Sequence, residues 1–207
     1  MSREGHLVLL GDSIFDNAIY VPNGPAVIDH VRESLSDGWE ATLVAHDGDI
    51  VSDVGGQITR IPTDATLLAL SIGGNDALES TDILQWPATS VESALRHLSK
   101  LREEFHHGYR HMLRQLCRLQ LPLVVCTIYD GVPGLAPELK TALCLFNDAI
   151  TREVKAAGLP LIDLRNLCDD PNDYSEVSPI EPSAQGGGKI ARAVVAWCDN
   201  EGLGAAT

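Results

Sequence analysis

Three short segments carry groups suited to acyl chemistry. They are Gly11-Asp12-Ser13-Ile14, running on into Phe15-Asp16-Asn17; His46-Asp47-Gly48-Asp49; and Ser71-Ile72-Gly73-Gly74-Asn75-Asp76. A serine on a glycine turn just past a strand sits where an α/β sheet exposes a nucleophile. Glycine at position 48 lets the backbone approach a ligand closely and point its N–H at an anion. Paired glycines before Asn75 lift its amide above the sheet edge, where the NH₂ can donate to a developing oxyanion. Taken singly, each segment is also an ordinary helix cap or turn.

The elements that position these segments follow from patterning. Short apolar runs at His6–Leu10, Ala41–Ala45, Thr66–Ile72, Leu121–Ile128 and Leu159–Leu164 are nearly continuous, as strands buried on both faces require. Helical spacing fills the intervals at about Gly24–Leu35, Val51–Thr59, Thr89–Leu119 and Pro137–Ala157, and again from Ser183 to Cys198. In the longest of these, Val91, Leu95, Leu98, Leu101, Phe105, Tyr109, Met112 and Leu116 recur mainly at three- and four-residue steps, which predicts an amphipathic helix covering a sheet face. Alternating strands and helices with right-handed crossovers predict a flavodoxin-like, three-layer α/β/α fold around a five-stranded parallel sheet. Ligands then bind at the carboxyl ends of the strands. The three segments each follow one of the first three strands, so all open at that edge.

Composition narrows the function classes. A chain of 207 residues is expected to form one domain spanning 1–207, large enough for a core without disulfide or metal staples. Fifteen Lys and Arg against 29 Asp and Glu leave a net charge of −14, a field that repels phosphate backbones and argues against nucleic-acid binding. The start, MSREGHLVLLGDS, reads as lacking a signal peptide, and no window is apolar for long enough to form a membrane span. Five cysteines, widely spaced and without a CxxC pair, fit reduced thiols in a cytoplasmic protein better than a disulfide framework or zinc site.

In order and in spacing, VLLGDSIFDN, the DGD around Gly48 and SIGGNDAL resemble the SGNH hydrolases, also called GDSL-type esterases and lipases. The resemblance runs from His6 to about Trp197. It implies an esterase in which Ser13 is the nucleophile. The oxyanion hole would comprise the Ser13 N–H, the Gly48 N–H and the Asn75 side chain, with Asp12 holding the serine turn. It implies a small-molecule ester substrate and no metal or organic cofactor.

One family element departs from the pattern. Members carry an Asp and, three residues later, a His followed by Pro shortly before the last helix; here the stretch reads Ser178-Pro179-Ile180-Glu181-Pro182. Glu181 therefore falls on the position of the base and Ser178 on that of its orienting Asp. All seven histidines lie at or before His111. Three readings stay open. Glu181 is itself the base, which needs its pKa raised from about 4.3 to near 7 by desolvation. Alternatively His46, closing the second strand, substitutes for it, or the chain is a weak or inactive relative that binds an acyl or carbohydrate ligand. The expectation adopted is Ser13 as nucleophile with Glu181 as base.

Other features read as structural. His107 and His111 have the spacing of a helical metal pair but lack the His-Glu-x-x-His context. Gly186-Gly187-Gly188-Lys189 lacks the remainder of a phosphate loop, and is expected to be a helix start packed close to the serine strand. Asp169, Asp170 and Asp173 read as a solvated acidic turn.

Overall fold

The computed structural model describes residues 5–204. Five parallel strands, β1 (Gly5–Gly11), β2 (Trp39–Leu43), β3 (Leu67–Ser71), β4 (Leu123–Cys126) and β5 (Leu161–Ile162), form one sheet in the order β2-β1-β3-β4-β5. This is the doubly wound order in which the connections diverge from β1 and β3, leaving a crevice beyond their carboxyl ends. The register pairs Leu9 with Leu43 on one side and with Ala69 on the other, and ends with Gly11 beside Ser71.

Alternation along β1 divides the core. Leu7 and Leu9 pack with α1 (Val27–Ser34) and α7 (Ala184–Gly204) on one face. Val8 and Leu10 pack on the other face with α2 (Val54–Ile58), α4 (Val91–Cys117) and α5 (Pro137–Ala156). Both faces of the strands are covered, which is why the strand segments read as continuous apolar runs rather than alternating ones.

The expected elements recur with shifted bounds. The second strand lies two residues earlier than its apolar run, the third, fourth and fifth are shorter than theirs, and a 3₁₀ turn over Val51–Asp53 precedes α2. Four pieces went unread in the sequence: a 3₁₀ turn at Ala18–Tyr20, α3 (Gly74–Glu79), a 3₁₀ turn at Thr81–Gln85 and α6 (Leu164–Leu167). Each is too short to carry a period.

The long helix needs one correction. Its buried residues begin at Phe105, while Val91 and Leu95 are exposed. At 1.5 Å per residue, 27 residues span roughly 40 Å, against about 23 Å for the seven residues of β1. The amino-terminal third of α4 therefore overhangs the sheet instead of covering strands. A second correction concerns the triple glycine. The positions a Cβ would occupy at Gly187 and Gly188 face Val27 and His30 of α1, and at Gly186 the Asp173 carbonyl, so the start of α7 packs on α1 and the acidic turn and not on the serine strand.

Gly11 sets the geometry of the serine turn. Its φ is +127°, and a Cβ there would lie 1.7 Å from the Ser71 carbonyl oxygen. Gly11→Ala combines a disfavoured backbone with a main-chain clash, and should cost at least about 3 kcal/mol. At roughly 2–4 °C per kcal/mol for a chain of this size, melting followed by circular dichroism should fall by about 6 °C or more. A fall under about 2 °C would contradict this account of the turn.

Candidate active site

Ser13 follows β1 on a turn closed by bonds within its own segment and tied to the end of β3. The Asp12 N–H donates to the Ser71 carbonyl at 3.0 Å, and the Phe15 and Asp16 N–H groups donate to the Asp12 carbonyl at 3.1 Å each. The Asp12 carboxylate accepts from the Ile14 N–H at 3.1 Å. The Ser13 N–H makes no hydrogen bond to any described protein group. The same holds for the N–H of Gly48, whose φ of +86° turns the chain after β2.

The loops after β1, β2 and β3 are laced together. The Asn75 side-chain amide donates to the Asp49 carbonyl at 2.9 Å, which occupies one of its two hydrogens and leaves the second. The Asp76 carboxylate accepts from the Val51 N–H at 3.0 Å. Gln57 is wholly buried: it accepts from the Gly11 N–H at 2.8 Å, and its amide donates to the Gly11 carbonyl and to the Asp49 carboxylate, at 2.7 Å each. One residue of α2 thus ties the serine turn to the Gly48 turn. Sequence reading missed Gln57; a lone amide in an otherwise apolar, glycine-rich helix start was its only signal.

The fourth segment arrives through backbone anchors. Asn17 donates from its amide to the Pro182 carbonyl at 3.0 Å while accepting from the Val27 N–H at 2.9 Å. The Tyr129 hydroxyl donates to the Ile180 carbonyl at 2.6 Å. The Ser175 N–H donates to the Glu181 carbonyl at 2.8 Å, and the Glu181 N–H to the Ser178 carbonyl at 3.0 Å. Ser178 therefore meets Glu181 through main chain, not as a side chain that orients a base.

These anchors deliver Glu181 to Ser13. Asp12, Ser13, Asn75 and Glu181 line one cavity of about 130 Å³. Ser13 and Glu181 are both buried, and Glu181 Oε2 has no hydrogen-bond partner. Burial pushes the Glu181 carboxyl up to about 7, helped by the negative charge of Asp47 and opposed by the Ser13 hydroxyl, which favours the ionised form. The Gly48 turn adjoins the cavity through Asn75 but does not line it. His46 does not line it either: its side chain is largely exposed, with Nδ1 3.3 Å from the Asp49 carboxylate.

A sequence model of the GDSL-like lipase/acylhydrolase family matches residues 9–187, which takes in all four segments. The chain belongs to this family. Membership makes it a hydrolase acting on esters. No curated protein matches the chain. Among solved structures, it is similar to an extracellular lipase from Streptomyces rimosus, at 18% identity and a TM-score of 0.63 over 89% of this chain and 95% of that one. Phospholipase A1 from Streptomyces albidoflavus NA297 gives 16% identity and a TM-score of 0.65, covering 94% and 99%. The acetylxylan esterase Axe2 from Geobacillus stearothermophilus gives 14% and 0.67, covering 95% of each chain. These likenesses establish a shared three-layer α/β fold.

Within this GDSL-family site, Asp12 is more than a turn former. It is completely buried, and desolvation foremost, with smaller contributions from the charges of Glu181 and Asp76, raises its carboxyl from 3.8 to about 8. The folded protein thus holds this proton to higher pH than the unfolded chain does. Stability attributable to Asp12 is therefore largest in acid and is lost as pH climbs from about 4 through 8. Asp12→Asn removes that titration. Its melting temperature relative to the parent should become steadily more favourable between about pH 5 and pH 9; a difference independent of pH would refute the assignment.

The features set aside in the sequence stay outside the site. His106 and Arg110 both contact the Glu153 carboxylate, and His111 bonds Gln115, so the helical histidines belong to surface polar networks. Asp173 is not solvated as expected: it is buried and accepts from Lys189 Nζ at 2.7 Å and from the Gln185 amide at 3.0 Å, fastening α7 to the segment that leads to Glu181. Cys117 and Cys144 are exposed and Cys126, Cys168 and Cys198 buried, all as free thiols. No described helix is long and apolar enough to cross a membrane.

Proposed function

We propose that this GDSL-family hydrolase cleaves carboxylic esters through an acyl-serine intermediate on Ser13, with Glu181 as general base. One observation carries the reading. A buried carboxyl with a pKa of about 7 lines the same cavity as the serine of the turn after β1.

Ionised Glu181 takes the Ser13 hydroxyl proton as Oγ bonds to the ester carbonyl carbon. The C=O electron pair moves onto oxygen, where the Ser13 N–H and the free Asn75 amide hydrogen hold that charge, with the Gly48 N–H of the adjoining turn as the third donor. When the carbonyl re-forms, the C–O bond to the alcohol breaks and the departing oxygen takes the proton from Glu181. A water then gives a proton to Glu181 and attacks the acyl carbon. The acid leaves, Oγ recovers its proton, and the sum is ester plus water giving acid plus alcohol. A base near neutrality suits both directions of proton transfer, since it accepts and returns the proton with little driving force lost.

Asp12, neutral at pH 7, leaves Glu181 as the ionising carboxyl beside the hydroxyl, and Gln57 and Asn17 hold the loops in place. A fluorophosphonate probe tests the reading directly. Mass spectrometry should show one adduct on Ser13 in the parent protein and none in Ser13→Ala. Failure of the parent to label would favour a binding protein on the same scaffold.

A further inference from the structure

The geometry points to a linear acyl chain of about six carbons, rather than an acetyl group, as the acid portion of the substrate. This inference rests on the ester-hydrolase reading of the same site. Beyond its polar groups, the cavity that holds Ser13 is walled by apolar side chains from separate elements. Leu139, Ala142, Leu143 and Phe146 lie at three- and four-residue steps on α5 and present one face to it. Leu101 of α4 and Ile128, just past β4, complete the wall. The mouth is apolar as well: Leu78 and Ile180, both lining residues, are 45% and 38% exposed.

An apolar cavity of about 150 Å³ stays dry and admits a six-carbon guest such as benzene. A cavity of about 130 Å³ matches that scale. An acetyl methyl would leave most of the wall without a partner, and a sugar would set hydroxyl groups against side chains that cannot bond them. The wall also belongs to the acid side of the ester. Asn75, proposed to hold the carbonyl oxygen, opens α3, and Ala77 and Leu78 of the same helix line the cavity. A chain leaving the carbonyl carbon past Asn75 therefore runs along α3 toward α5, while the Gly48 turn stands outside.

Chain-length profiles test this in two arms. In the first, p-nitrophenyl esters vary the acyl group from acetate to dodecanoate with a constant leaving group. Each fully buried methylene adds about fourfold to kcat/KM, so hexanoate, with four more, should exceed acetate by about 250-fold at full burial and by at least about tenfold at partial burial, and the gain should cease near six to eight carbons. In the second, the alcohol varies over a constant acetyl group, and no comparable rise is expected. Ala142→Phe should cut the hexanoate-to-acetate ratio by about tenfold or more, and the smaller Ala142→Leu should move it in the same direction, which guards against a folding defect in the larger variant. Acetate preferred over hexanoate, a rise with alcohol length instead of acyl length, or an unchanged ratio in both variants would overturn the inference while leaving ester hydrolysis by Ser13 intact. Hydrolysis of none of the esters would remove the parent reading itself.

Discussion

Ser13→Ala lowers kcat/KM for p-nitrophenyl esters by about 10⁴-fold or more, equivalent to at least about 5.4 kcal/mol of transition-state stabilisation at 1.36 kcal/mol per decade. The magnitude follows from what alanine leaves behind. Without Oγ there is no acyl-enzyme, and only binding and the oxyanion donors remain to help water attack the ester. The N–H of residue 13 survives the substitution, so the drop isolates the nucleophile from the donor it shares a residue with. Asn75→Ala should fall by a smaller 10²- to 10³-fold, the usual cost of one oxyanion donor. Steady-state kinetics decide: a Ser13→Ala protein retaining a tenth of parental activity would end the nucleophile assignment.

Glu181→Gln should reduce kcat/KM by about 10³-fold, within the range for a positioned general base. Its more telling effect is on pH dependence. Glu181 must be ionised to accept the serine proton, and burial puts its midpoint at about 7. Parental kcat/KM should therefore rise with pH, reach half its plateau near 7, and lie roughly tenfold down one pH unit below it per the titration of a single group. Glutamine has the same shape but no proton to lose, so that limb should vanish, leaving a low, flat profile. Survival of the limb in Glu181→Gln, together with its disappearance in His46→Ala, would transfer the role to the imidazole. The exposure of His46 and its pairing with Asp49 argue against that outcome.

Much of this architecture was legible because burial on both faces leaves a strong imprint. The strands announce themselves as unbroken apolar runs, and the helices of both layers keep a 3.6-residue period. That Ser13 and Asn75 line one cavity was legible for a different reason: each follows a strand of the same parallel sheet, so topology puts them at one edge, whereas Glu181, which lines it too, was reached only through the family resemblance. What could not be read is what depends on long-range partners. Gln57 reaches Gly11 across 46 residues and Asn17 reaches Pro182 across 165, and nothing local to either residue encodes that. Asp173 misled because three acidic residues in a turn look solvated until Lys189 is brought back over them. Val91 and Leu95 misled because periodicity reports a face and not how far the sheet beneath it extends.

The restraints on the segment before α7 act on its main chain: Asn17, Tyr129 and Ser175 grip carbonyl oxygens and leave the side chain at position 181 unclaimed by the scaffold. In the proposed mechanism the fold thereby separates the seat of the proton acceptor from its chemical identity. Glu181→His should then leave the loop's main-chain anchors in place while resetting the acidity at which the enzyme runs.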